Sequence, residues 1–215
     1  MDGLGKGGEK KVKPRSVRWL FLRFFLSFTF SLLLWEIFQP SYSKLLVSVS
    51  QWFLFQAKQG EETSLRLQED IIFFIPLGPV SEGKKETDFM VKGRYVRSIH
   101  YNSMIFLTLI LFTPGVRPIK RALELLIGLL LLFMAQVFSI LIGVKFFYAS
   151  ELGQYSVVNY GSWGKNIYGF LNQFFTLGKF AFPFVIWMLF TYREIVWYLT
   201  GTKPEGKQRK RRKRD

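Results

Sequence analysis

The chain has 215 residues, is 49% hydrophobic and 18% aromatic, and carries a formal net charge of +15. A soluble domain of this size buries one core without needing 24 Phe and 6 Trp, so the apolar residues point to lipid and the basic ones to orientation in a membrane rather than to nucleic acid. The absence of cysteine excludes disulfides, thiolate zinc, iron–sulfur clusters and a cysteine nucleophile, and a single histidine, His100, disfavours a His-based metal site.

Residues 1–16 are Gly- and Lys-rich without apolar periodicity and read as a disordered basic tail. The apolar run Val17–Phe38 is long enough, at 1.5 Å per residue, to span a hydrocarbon core of about 30 Å. It ends in bulky LLLWEIFQP rather than a small-residue cleavage site, so it is expected to be an uncleaved anchor. Pro40 is expected to end that helix. The Ser- and Gln-rich stretch 41–57 then reads as an interfacial helix on the outer leaflet, with Trp52 at headgroup depth. Continuation of the first helix is the alternative.

Residues 39–97 are expected to be extracytoplasmic, and 61–101 form the one sizeable polar region. Within it, Ser64–Ile75 and Asp88–Ile99 are rich in β-formers and are joined by turn-forming PLGPVSEGKKET, which predicts a small β-hairpin flap. Two strands alone are marginal in water, so the flap is expected to pack on the interfacial helix, the membrane or a partner. A second, short span is expected over 98–113. A Pro-containing turn follows at 114–120, a third span at 121–148, a Gly- and aromatic-rich outer loop at 149–166, and a fourth span at 167–192. A basic tail, 193–215, closes the sequence.

Lys and Arg concentrate in the first tail, in the turn (Arg117, Lys120, Arg121) and in KQRKRRKRD near the end. An even number of crossings puts all three on one side, so the positive-inside rule predicts a multi-pass inner-membrane protein with both ends in the cytoplasm. The expected fold is all-α: a four-transmembrane-helix bundle with an extracytoplasmic β-hairpin flap and an interfacial helix.

Polar residues inside such spans are candidates for function. Lys179 lies deep in the fourth span, with Glu36 in the first as its natural ion-pair partner. Gln136 is central in the third and suits an interhelical hydrogen bond. His100 stands where the flap meets the membrane, between Arg97 and Ser103, and reads as an interfacial anchor; an acid/base role needs a nucleophile and an orienting partner, and no spacing signature supplies them. Arg23 and Lys145 are expected to snorkel, and Glu124, Arg193 and Glu194 to form pairs near the inner face. No catalytic, cofactor-binding or metal-binding motif is present.

The stretches LLLWEIFQPSYSKLL, HYNSMIFLTLILFTPG and KRALELLIGLLLLFMAQVFSI, best over residues 101–140, resemble the bacterial exosortase-associated membrane proteins of the exosortase H-associated kind. That resemblance implies an accessory of an envelope protein-sorting or exopolysaccharide-export assembly. Exosortases themselves resemble cysteine transpeptidases, and a chain without cysteine is not one of them. The sequence thus predicts a non-enzymatic subunit that contacts membrane lipids and an integral-membrane protein partner, needs no cofactor, and does not bind nucleic acid. A small transporter or channel subunit using Glu36, Gln136 and Lys179, and a membrane enzyme on a lipid-linked substrate using His100, remain the alternatives.

Overall fold

A computed structural model describes residues 17–57, 63–68, 71–76, 91–114, 116–152 and 154–200. The expectations for residues 1–16 and 201–215 and for all but Pro76 of the turn-forming stretch 76–87 fall outside these residues, whereas 193–200, expected to belong to the closing tail, are helical. In chain order the elements are α1 (Val17–Gln56), β1 (Thr63–Gln68), β2 (Ile71–Pro76), β3 (Val91–Tyr95), α2 (Val96–Phe112), α3 (Pro118–Ser150) and α4 (Gln154–Thr200).

Three helices, α1, α3 and α4, are long and apolar enough to cross a membrane, and the chain is a multi-pass membrane protein. The expectation of four transmembrane helices is therefore corrected. The apolar part of α2, Tyr101–Phe112, reaches about 18 Å, short of a hydrocarbon core of about 30 Å. Its termination is local: Pro114 and Pro118 flank the turn after Phe112 and stop the helix. Its surroundings are protein, since Met104, Phe106, Leu107 and Ile110 are all buried. A helix wrapped by its neighbours does not need a lipid-length apolar stretch.

α1 continues through Pro40 to Gln56, where a span followed by a separate interfacial helix was expected. Proline removes one backbone donor and crowds the preceding turn. The carbonyl that loses its helical donor is that of Glu36; just beyond, the Ser43 hydroxyl donates to the Gln39 carbonyl at 2.8 Å. The upper part of α1 is then held by the sheet rather than by headgroups.

That sheet has three antiparallel strands in the order β1-β2-β3. The segment expected to be one strand, 64–75, is itself a hairpin: Gln68 pairs with Ile71, and Thr63 with Pro76. Alternation sends Thr63, Leu65, Ile72 and Phe74 inward. They pack with Leu46 and Leu54 of α1 and with Val144, Phe147 and Tyr148 of α3. A second core, Phe106, Ile110 and Leu132, lies among α2, α3 and α4. There Gly128 of α3 admits the Phe106 ring of α2 so closely that any Cβ at 128 would collide with it.

α4 begins well before residue 167, within the expected loop, and bends at Gly161, whose φ of 59° is a left-handed conformation that suits glycine.

Candidate functional site

Two polar layers cross the bundle. The first joins α1, α2 and α3. The Tyr42 hydroxyl donates to Gln136 Oε1 at 2.7 Å. The Gln136 amide Nε2 donates to Ser103 Oγ at 3.4 Å. Gln136 is buried, and the Tyr42 ring is fixed by edge contacts with Trp35 and Phe133. Gln136 is thus interhelical glue, with each side-chain hydrogen bond worth about 1 kcal/mol in a membrane. Asn102 is buried beside Ser103, and its Oδ1 has no hydrogen-bond partner.

The second layer is centred on Thr113, at the end of α2. The last carbonyls of a helix lack intrahelical donors and carry partial negative charge, so cations collect there. The Thr113 carbonyl accepts from Arg23 of α1 at 3.1 Å and from Arg121 of α3 at 2.8 Å. Its hydroxyl accepts from the indole N–H of Trp187 in α4 at 2.8 Å and donates to the Leu109 carbonyl at 2.7 Å. Four helices therefore meet at one residue. Arg23 also reaches the Leu111 carbonyl at 3.4 Å. Beside this hub Lys120 bridges two acids: it lies 3.1 Å from Glu124, which is buried, and also pairs with Glu194 of α4.

The hub shows that the start of α1, the turn after α2 and the end of α4 share one end of the bundle. The sheet lies at the other. There Gln51 of α1 offers its carboxamide as a substitute peptide to the edge strand: Nε2 donates to the Thr63 carbonyl at 3.1 Å, and Oε1 accepts from the Leu65 N–H at 2.7 Å. The Thr63 hydroxyl donates to Tyr148 of α3 at 2.8 Å.

The remaining sequence candidates are dispersed. Glu36 is exposed on α1. Lys179 is half-buried on α4, with its ammonium 5.0 Å from the Phe180 ring centroid. The Glu36–Lys179 pair expected within one chain is not among the ion pairs of the described residues. Lys145 lies 5.9 Å from the Tyr160 ring centroid. His100 falls in the first turns of α2, and its side chain is outside the described set. Glu36, Gln136 and Lys179 do not converge, because Gln136 is enclosed while Glu36 faces outward. Among the described residues no group of three or more His, Asp or Glu is placed to hold a metal.

Sequence reasoning missed Thr113, Tyr42 and Ser103. A signal for Thr113 was present: a Thr-Pro at a helix end leaves carbonyls to be capped, and Arg23 lies in an apolar helix needing an acceptor. Tyr42 gave no such sign once residues 41–57 were assigned to the interface.

Residues 14–194 match a family profile described as exosortase H-associated membrane protein. No curated protein and no solved structure matches the chain.

Proposed function

The chain belongs to the exosortase H-associated membrane protein family, and from that premise we propose that it is a non-enzymatic inner-membrane accessory subunit that holds a partner in an envelope protein-sorting or exopolysaccharide-export assembly. The match over residues 14–194 carries this reading. The disposition of polar groups supports it: Gln136, Tyr42, Ser103, Thr113 and Arg23 are spent on joining helices to one another. A fixed scaffold uses buried polar groups in this way.

The same reading places the Thr113 end in the cytoplasm. Arg23 and Arg121 bond the Thr113 carbonyl, Arg117 and Lys120 follow it closely in sequence, and Arg18 lies in the first turn of α1. The sheet end, with Gln51 and Thr63, then faces the extracytoplasmic side.

The partner implied by the family's description is an exosortase of the H type, itself an integral membrane protein. The test is co-purification. An affinity-tagged chain, solubilised from its native membranes in mild detergent, is expected to retain that exosortase, and His100→Ala is expected to retain it equally and to leave sorting intact. Recovery of the chain with lipid alone would contradict the accessory role. Loss of sorting in His100→Ala with the complex intact would favour the enzymatic alternative.

A further inference from the structure

Two features of α1 fall on one residue. The stretch from Arg23 to Lys44 measures about 32 Å at 1.5 Å per residue, which matches a hydrocarbon core of about 30 Å. Glu36 lies inside it, about 20 Å from Arg23 and about 12 Å from Lys44. Leu33, Glu36, Pro40 and Lys44 follow one another at spacings of three and four and are all exposed, so they line one stripe of the helix. Glu36 takes part in none of the ion pairs of the described residues.

Pro40 stands one turn further along the same stripe. It has no N–H, so it cannot close the helical bond to the carbonyl four residues back, which is that of Glu36. The Ser43 hydroxyl serves the Gln39 carbonyl instead. One residue of an exposed stripe therefore offers two acceptors, a carboxylate and a main-chain oxygen that has lost its helical donor. Lipid chains supply no donor to either. The headgroups do not relieve them. Helical side chains lean toward the N-terminus, which turns the short Glu36 side chain down the span toward Arg23 rather than up toward Lys44. Nor does α4 supply a cation: it packs on α3 and α2, and its Lys179 is half-buried beside Phe180.

A carboxylate next to an unserved carbonyl selects a donor that is cationic and has more than one N–H. Lysine and arginine side chains meet both demands, and a hydroxyl meets neither. We propose that the Glu36 stripe of α1 is the docking surface for the partner subunit, which lays against it a transmembrane helix carrying a lysine or arginine at the depth of Glu36. Each charge then covers the other from lipid, and Leu33 and Ile37, 59% and 74% exposed, pack beside the pair. The proposal rests on the accessory reading and names the contact through which the partner is held.

The test uses the tagged full-length chain in its native membranes. The photocrosslinking residue p-benzoylphenylalanine is placed at Ile37 and, as a control on α4, at Leu189, which is 76% exposed. The Ile37 position is expected to crosslink the exosortase within a transmembrane segment that contains Lys or Arg, and the Leu189 position is not. Glu36→Leu is expected to lower both crosslinking and co-purification about fivefold or more. Pro40→Ala returns an N–H to the Glu36 carbonyl, so it is expected to weaken retention while leaving the chain at least as stable, which a merely structural role for Pro40 does not predict. Glu36→Lys is expected to lose the partner, and changing the crosslinked basic residue of the partner to Glu is expected to restore it. Far-UV circular dichroism checks that the variants fold. With the exosortase retained by wild type, an Ile37 crosslink to lipid or to a second copy alone, or equal retention by Glu36→Leu, overturns the proposal and leaves the accessory reading standing. Failure of wild type to retain the exosortase overturns both.

Discussion

Thr113 takes side-chain contacts from three neighbouring helices through one carbonyl and one hydroxyl, and the two can be separated by substitution. Thr113→Val keeps the carbonyl and its arginines but strands the Trp187 N–H. It is expected to destabilise the protein by about 1 kcal/mol in a detergent-unfolding titration, and Trp187→Phe in the same background should add little. Gly128 is a steric counterpart. Gly128→Ala drives a methyl into the Phe106 ring and is expected to cost about 1–3 kcal/mol, partly recovered when Phe106→Leu is added. At this scale Gln136 was legible, because an amide in the middle of an apolar span has few roles besides joining helices. Tyr42, its partner, was not, since a tyrosine after a proline reads equally well as a headgroup anchor.

Elements were legible where composition alone decides them and obscure where neighbours decide. α3 is mostly apolar; the sequence reading put a span at 121–148, and the helix runs Pro118–Ser150. α2 was placed correctly along the chain but given the wrong solvent. A short apolar helix between a sheet and a proline turn looks like a thin span until Phe106 and Ile110 are seen buried against α3 and α4. The sheet was expected as two strands because 64–75 has no glycine or proline, yet Thr63–Gln68 pairs antiparallel with Ile71–Pro76. The clamp by Gln51 ties this sheet to α1. In Gln51→Leu the Leu65 amide loses its acceptor, and hydrogen exchange at 63–68 is expected to rise about fivefold or more while α3 is unchanged. Equal protection in the variant would mean that the apolar face alone, Leu65, Ile72 and Phe74, fixes the sheet.

The whole molecule is a polarised bundle, with basic flanks and a carbonyl hub at one end and a β-sheet at the other. The placement of Lys and Arg led the sequence reading to put both ends of the chain on one side, and the hub gathers the start of α1 and the end of α4 at one end of the bundle. The most direct test is single-cysteine labelling in intact cells with a membrane-impermeant maleimide. Trp52→Cys, beside the sheet, is 55% exposed in the native residue, and Ile119→Cys, beside the hub, is 79% exposed. Trp52→Cys is expected to label in intact cells, and Ile119→Cys only after the membrane is opened. Labelling of Ile119→Cys in intact cells, with Trp52→Cys protected, would contradict the account.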